Sequence, residues 1–322
     1  MRDRLSNILK IVISLGLLAL VLYKVGAKQA LTTLAAANWP LLALALALFI
    51  GGIALRAVRW QALLRAQRLV VPLQRLVFLY FVGSFFNNIL PTGFGGDAVR
   101  AYELAQDAQS GALAVGTVLT DRAIGLLALF LMAALALPFS LGILQPWIAL
   151  LVLALTVGAF GGVALFLWSG PLGRLFRALP APLRRLIDRP ALRKLYRSFS
   201  GYDRRSLAIA GGVSIAFNLL QVVVNALIGL SLGVHVSFSY YLVSVSIIAT
   251  LLMLPITISG VGVREGAYLL LFGQVGVPAA TAVSMSLSVY LINVLSGLIG
   301  GALYAWEGAH GALQARQGES KG

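Results

Sequence analysis

Long apolar runs separated by short polar stretches dominate this chain. A run of about 20 apolar residues is long enough to cross the hydrocarbon core of a bilayer as a helix. Six uninterrupted runs lie at 8–25, 39–60, 112–138, 147–169, 207–231 and 281–304. Two other apolar stretches, 76–96 and 240–262, are interrupted by proline and glycine. The pattern predicts an all-α polytopic membrane protein with about six transmembrane helices and two broken membrane segments.

The first run, 8–25, has a second interpretation. Arg2, Arg4 and Lys10 give it the basic start of a secretory signal peptide. It has no clean small-x-small cleavage site, and the internal symmetry described below needs it as a span. We therefore interpret it as a transmembrane helix.

The composition excludes a soluble protein and several kinds of chemistry. The 322 residues are 60% hydrophobic and only 11% charged, whereas soluble domains carry roughly 25% charged residues. There is no cysteine and there are only two histidines. These counts argue against a disulfide, a thiol nucleophile or a metal site, and we expect no cofactor and no metal.

The net charge of +15 reflects 25 basic and only 10 acidic residues. In a membrane protein this balance indicates the positive-inside rule and anionic lipid, not a nucleic-acid partner. The loops 139–146 and 232–239 contain no Lys or Arg, whereas ten bases lie between Arg174 and Arg205. A second basic group begins within the last residues of the run 39–60 and continues after it; it comprises Arg56, Arg59, Arg65, Arg68, Arg75 and Arg100. The asymmetry predicts an inner (plasma) membrane protein of bacterial or archaeal type with both termini in the cytoplasm.

The segment 170–206 is the most basic part of the chain. Leucines recur in it at helical spacing, arginines fill the gaps and prolines divide it into short pieces. It is read either as basic amphipathic helices on the inner leaflet or as an ordinary positive-inside loop. On either reading, residues 1–306 form one transmembrane domain, and 307–322 are a cytoplasmic tail.

The two broken segments resemble each other. Each has a Leu-Pro pair, a glycine five residues after the proline and a Val-Arg pair after eight. The matched positions are Pro91 and Pro255, Gly96 and Gly260, Val99 and Val263, and Arg100 and Arg264. If each segment is a re-entrant hairpin, half one (about 1–138) and half two (about 145–306) have opposite orientations. Such an inverted-topology repeat is typical of alternating access to a site near the bilayer midplane.

The hairpins carry the chemistry of an anion site. Glycines allow close backbone approach, and the N–H groups at a new helix start attract phosphate or carboxylate. An arginine follows each break, and its guanidinium suits bidentate phosphate binding. For Arg100, an internal ion pair with Asp97 and Glu103 is an equal alternative. For Arg264 we favour the ligand, although Glu265 offers the same kind of partner.

Further polar residues lie inside the predicted spans. If the third span begins near Ala112, then Asp121 and Arg122 lie deep in it and neutralise each other; if it begins at Ala123, they are at the surface. Polar side chains recur at helical spacing over 214–225 and 286–297, either to hold helices together or to line a pore. The predicted binding residues are Asn87, Asn88, Pro91, Gly93, Gly95, Gly96, Asp97, Arg100, Asp121, Arg122, Asn218, Gln221, Pro255, Ser259, Gly260, Gly262, Arg264 and Glu265.

These motifs together resemble the transmembrane region of lysylphosphatidylglycerol synthase. The resemblance rests on the string 87–91, the glycines with Asp97 and Arg100, the triplet 120–122, and 254–265. It implies a lipid flippase without the aminoacyl-transfer domain that follows the membrane region in the bifunctional enzyme. The implied substrate is an anionic phospholipid or a polyprenyl-linked lipid.

We therefore expect a lipid transporter that is not an enzyme and has no ATPase of its own, since the chain has no Gly-x4-Gly-Lys-Ser/Thr loop. The expected partners are a membrane lipid, a second copy of the chain or a lipid-modifying enzyme. The alternatives are an integral membrane enzyme and a non-catalytic scaffold in lipid-linked glycan or headgroup assembly.

Overall fold

A computed structural model describes Gly16 and residues 25–90, 95–108, 110–139, 145–167, 201–252 and 260–319. Within these ranges the chain is helical and contains no strand. The helices are α1 Ala27–Ala35, α2 Trp39–Ala66, α3 Leu73–Ile89, α4 Gly95–Ala108, α5 Gly111–Ala136, α6 Pro146–Leu167, α7 Arg204–Ser231, α8 Phe238–Leu251, α9 Val263–Gly273 and α10 Ala279–Glu319. A short 3-10 turn, Leu137–Phe139, follows α5.

Local signals fix the starts of several helices. The side chain of Asn38 accepts a hydrogen bond from the backbone N–H of Leu41 at the start of α2. Asp203 caps α7 in the same way. Asn and Asp are favoured at this position because their side chains satisfy backbone N–H groups that the helix leaves without partners.

Four helical stretches in the described residues are long and apolar enough to cross a membrane. They are Trp39–Ala66, Gly111–Phe139, Arg204–Ser231 and Ala279–Ala309, and they coincide with four of the six predicted runs. Helix α6 occupies a further predicted run, 147–169, but its apolar part Ala149–Gly162 is shorter than a full span. The run 8–25 lies almost entirely outside the described residues, as do residues 170–200 of the basic segment 170–206.

The last helix is longer than the predicted span. Helix α10 continues to Glu319, so most of the segment predicted as a tail at 307–322 extends the helix. This segment contains Ala, Gln, Glu, Leu and Arg residues of high helix propensity, alongside four glycines.

Helices α2 to α5 recur in the same order as α7 to α10. Their starts lie 165, 165, 168 and 168 residues further along the chain, respectively. The same neighbours also pack in both sets. The contacts α2–α3, α3–α4, α4–α5 and α2–α5 recur as α7–α8, α8–α9, α9–α10 and α7–α10. The repeat detected in two short motifs therefore extends over four helices in each half.

The two sets are related by approximate two-fold symmetry. Helices α2 and α7 pack antiparallel, because Asn38 meets Ser231 near one end and Arg59 meets Ser214 near the other. The contact of α3 with α10 is matched by that of α5 with α8. Equivalent helices that run antiparallel require a two-fold axis perpendicular to their length.

The two predicted hairpins are pairs of antiparallel helices. In the first, the Asn87 side chain near the end of α3 accepts a hydrogen bond from Gly96 N–H at the start of α4, at 2.8 Å. In the second, the Tyr240 hydroxyl donates to the Leu271 carbonyl. The connecting residues 91–94 and 253–259 include Pro91, Gly93, Pro255 and Ser259 and lie outside the described residues.

These four helices are short. They contain 17, 14, 14 and 11 residues, which corresponds to about 26 Å or less at 1.5 Å per residue. The hydrocarbon core is about 30 Å thick, so each of them is shorter than the core.

Glycines allow α3 and α10 to pack with their backbones in contact. A Cβ on Gly300 would lie 1.9 Å from the carbonyl oxygen of Phe81, whereas a Cβ on Gly308 of the same helix would have no neighbour within 4 Å. We expect Gly300→Ala to lower the melting temperature in detergent, at an overpacking cost of about 1–3 kcal/mol. Gly308→Ala should melt like the wild type. Equal melting of the two variants would contradict this close contact.

Candidate functional site

Asp121 lies at the centre of a buried ion-pair network. It is the eleventh residue of α5, roughly 15 Å from the helix start at 1.5 Å per residue, and its exposed fraction is 1%. One carboxylate oxygen accepts from Arg59 Nε at 2.6 Å, and the other accepts from the Tyr80 hydroxyl at 2.5 Å. Because α5 begins at Gly111, Asp121 lies well inside the candidate span Gly111–Phe139, as expected if the third span begins near Ala112.

A second arginine approaches the same carboxylate from α4. Arg100 Nη2 lies 3.4 Å from Asp121 Oδ2. Its guanidinium carbon also lies 3.6 Å from the ring centroid of Tyr80 and 4.2 Å from that of Trp60. Aromatic faces attract a cation in a desolvated position, so these rings help to hold Arg100 beside the carboxylate.

Asp97 at the start of α4 links this network to Arg122. Arg122 Nε lies 2.7 Å from Asp97 Oδ2, and Arg100 Nη1 lies 3.2 Å from Asp97 Oδ1. The expected mutual pair of Asp121 and Arg122 is therefore replaced by two separate pairs. Consecutive residues of a helix point about 100° apart, which directs the two side chains to different partners.

Of the two acidic partners proposed for Arg100, only one pairs with it. Asp97 does pair with Arg100, as the spacing predicts. Glu103 instead pairs with Arg75 at 3.0 Å, and Arg75 also contacts Glu307 at 2.8 Å. This second cluster is more exposed and ties α3 and α4 to α10.

Two arginines of α2 complete the site, and sequence reasoning assigned both only to the positive-inside count. Arg59 pairs with Asp121, and Arg56 lies over the ring of Tyr80 at 4.6 Å and that of Phe217 at 5.4 Å. The apolar run predicted from the sequence ends at residue 60, whereas α2 continues to Ala66. Arg56 and Arg59 therefore lie inside the helix, three residues apart. An arginine inside an apolar helix is costly and usually functional, so this pair was the signal in the sequence that could have identified the site.

The network borders a cavity of about 230 Å³. In the described part of the chain, its lining comes from α2, α4, α5, α7 and α8. The lining residues are Arg56, Arg59, Asp97, Arg100, Asp121, Arg122, Gly125, Leu126, Leu129, Phe217, Asn218, Gln221, Val245 and Ala249. One end of the lining is therefore charged and the other is apolar.

The polar stripe of α7 serves two purposes. Ser214 accepts from Arg59 at 3.1 Å, and Asn225 accepts from the Tyr268 hydroxyl, so both join helices. Asn218 and Gln221 line the cavity. The Gln221 amide oxygen is buried and has no hydrogen-bond partner among the described residues.

The second hairpin arginine lies away from this cavity. Arg264 is not among the described lining residues, and its guanidinium lies 5.3 Å from the ring centroid of Tyr290. Glu265 accepts from the Gly262 backbone N–H at 2.6 Å and from Ser286 at 3.0 Å, so it caps α9. Gly262 has a φ of +83°, which favours glycine at this cap.

The remaining predicted residues have structural contacts. The Asn88 side chain donates to the Asn293 carbonyl at 3.1 Å, and Gly95 packs against Leu90. Gly260 has a φ of +75° and packs against Leu252. A ligand role for these residues stays a prediction. Across the described residues, no group of three or more acidic or histidine side chains could hold a metal.

Two comparisons with known proteins show what this chain is similar to. The family model for the lysylphosphatidylglycerol synthase TM region matches residues 7–301. The chain belongs to this family. It is also 24% identical over 323 aligned residues to a UPF0104 membrane protein of Pyrococcus horikoshii, an alignment that covers 93% of this chain and 96% of the relative.

Membership of the lysylphosphatidylglycerol synthase TM-region family accounts for the motifs noted in the sequence. The match covers α2 to α5 and α7 to α9 in full, and α10 as far as residue 301. The matched range includes the residues of the buried network, among them Arg56, Arg59 and Asp121.

Proposed function

We propose that this protein moves an anionic lipid between the two leaflets of the membrane and binds the lipid headgroup in the charged cavity. The lipid is a phospholipid or a polyprenyl-linked lipid, and the hydrocarbon chains remain in the bilayer. The observation that carries the proposal is the set of four arginines around a cavity in a bundle of apolar helices. Arginine is the residue best suited to bind phosphate through two parallel hydrogen bonds.

The cavity has room for a headgroup but not for a whole lipid. Its volume is about 230 Å³, slightly below the range of roughly 300–1,000 Å³ for pockets that hold drug-sized ligands. The apolar end of the lining at Leu126, Leu129, Val245 and Ala249 suits the first carbons of a chain. The buried amide oxygen of Gln221 has no hydrogen-bond partner among the described residues, which favours a ligand that also carries a hydrogen-bond donor.

The repeat supplies a mechanism for movement. We infer that the two sets of helices cross the membrane with opposite orientation and that the pairs α3–α4 and α8–α9 are re-entrant. The antiparallel packing of α2 and α7 supports this arrangement. The two halves can then exchange inward-facing and outward-facing positions around the cavity, as inverted repeats do in other transporters.

Lipid movement can be measured in proteoliposomes that carry a headgroup-labelled anionic lipid in both leaflets. A quencher added outside reaches only the outer leaflet unless the protein moves lipid. We expect the wild type to make the inner-leaflet label accessible. A purified protein that leaves it protected contradicts the transport proposal, and turnover of a lipid-linked donor in the same vesicles would support an enzyme instead.

Arg122 provides a test of the cavity itself, because its side chain is 26% exposed and lines the cavity. We expect Arg122→Gln to slow lipid movement by roughly tenfold or more, since a hydrogen bond to a charged group contributes about 1.5–3 kcal/mol. Arg122→Lys should restore part of the rate because it keeps the charge. The matched control is Arg65→Gln, an exposed arginine of α2 that is not among the described lining residues. Equal rates for Arg122→Gln and the control would count against the cavity as the binding site.

A further inference from the structure

The charges around the cavity do not cancel. Its lining contains four arginines and two aspartates, which leaves a formal excess of two positive charges. The other described lining residues are apolar or neutral. Charge that is uncompensated and removed from water is costly, so the excess indicates a ligand that brings negative charge.

The two aspartates are already shared. Asp121 is contacted by Arg59 and Arg100, and Asp97 is contacted by Arg100 and Arg122. Each carboxylate is therefore held between two guanidinium groups.

Arg56 is bound differently from these arginines. Its contacts in the described part of the chain are the faces of Tyr80 and Phe217, and no carboxylate there lies within ion-pair distance. Arg56 stands one turn before Arg59 on α2, and both side chains line the cavity. Residues three apart on a helix are neighbours on one face, so the two guanidinium groups can reach the same ligand.

We propose that the cavity selects a lipid whose headgroup ends in a phosphate monoester, and that Arg56 determines this selectivity. A phosphate monoester carries about 1.5–2 negative charges at neutral pH, whereas a phosphodiester carries one. Only the monoester balances the two excess positive charges. A monoester also has three terminal oxygens, whereas a diester has two, so it keeps an acceptor for a second guanidinium after one fork has bound two oxygens. The inference rests on the proposed function, because it concerns the headgroup bound in the same cavity.

The test compares two lipids with identical chains: phosphatidate, a phosphomonoester, and phosphatidylglycerol, a phosphodiester. Binding to the purified wild type is measured by titration in native mass spectrometry. We expect phosphatidate to bind roughly tenfold tighter or more, the ratio that about 1.4 kcal/mol of extra interaction gives. Equal binding, or tighter binding of phosphatidylglycerol, would overturn the proposed selectivity.

Three variants show whether Arg56 is the cause. Arg56→Gln should bind the two lipids with similar affinity, and Arg56→Lys should keep most of the preference because it keeps the charge. Arg65→Gln removes one positive charge elsewhere on α2 and should keep the wild-type ratio. Melting curves of all three establish that each is folded. A folded Arg56→Gln protein that retains the full preference contradicts the role of Arg56.

Two further arms separate the possible ligands and the two proposals. Inorganic phosphate at the concentration of the lipid should not displace phosphatidate; displacement would mean that the site binds soluble phosphate and would overturn the lipid assignment. The vesicle assay of lipid movement is independent of this ratio. Vesicles in which the wild type moves neither lipid contradict transport, whereas movement of both lipids with equal affinity contradicts only the selectivity.

Discussion

Replacing Asp121 by Asn is expected to cause the largest loss of stability of any single substitution in the buried network. The amide keeps the size of the side chain but removes the charge that Arg59 and Arg100 share. Removing one partner of a buried ion pair costs about 3–5 kcal/mol, because the other charge is left without compensation. A thermal melt of the purified protein in detergent measures the effect.

A double variant distinguishes loss of charge balance from loss of packing. Arg59→Met combined with Asp121→Asn removes both partners, so we expect it to melt above Asp121→Asn alone. The control is Glu307→Gln, since the Glu307 side chain is 49% exposed and an exposed pair contributes only about 0–1 kcal/mol. If the loss of stability in the double variant equals the sum of the losses in Asp121→Asn and Arg59→Met, then Arg59 is not the partner that compensates Asp121.

The general architecture could be predicted from the sequence because lipid imposes a strong constraint on it. Apolar runs of span length become helices, since no other open structure satisfies its backbone in hydrocarbon. Four predicted runs coincide with span-length helices in the described residues, and the two broken segments are antiparallel helix pairs. The ends were harder to place: α2 runs past residue 60 and α10 past residue 306, because helix-forming polar residues extend a helix beyond its apolar part.

The candidate site was predicted in part. The motif around Asp97 and Arg100 and the depth of Asp121 could be inferred from local sequence. Their partners Arg59 and Tyr80 could not, because they are brought to Asp121 from positions 62 and 41 residues away. Single-sequence patterns report spacing along one helix and carry no information on which helices pack together.

The symmetry of the fold does not extend to the charges. Gln221 of α7 stands 165 residues after Arg56, and Val224 stands 165 residues after Arg59, the same offset that relates the starts of α7 and α2. The repeated set therefore places an amide and an apolar side chain where the first set has two arginines. This asymmetry confines the arginines of the cavity to the first half of the chain, although both halves line it, and Arg264, the motif counterpart of Arg100, lies in different surroundings.

Gly96→Ala is expected to weaken headgroup binding strongly without altering any charged residue. A Cβ at this position would lie 1.9 Å from the carbonyl oxygen of Gly83, a backbone atom that cannot rotate away. Helices α3 and α4 would have to separate, and α4 carries Asp97 and Arg100 while α3 carries Tyr80. The substitution should therefore cost about 1–3 kcal/mol in overpacking and also withdraw Arg100 from Asp121.

The matched control is Gly111→Ala at the start of α5, where an added Cβ would have no neighbour within 4 Å. We expect this control to bind phosphatidate like the wild type and to melt at the same temperature or slightly above, because alanine favours the helix by up to about 1 kcal/mol over glycine. Phosphatidate binding by Gly96→Ala should fall by roughly tenfold or more, the ratio that corresponds to about 1.4 kcal/mol. Wild-type affinity in a folded Gly96→Ala protein would show that the closeness of α3 and α4 does not position Arg100.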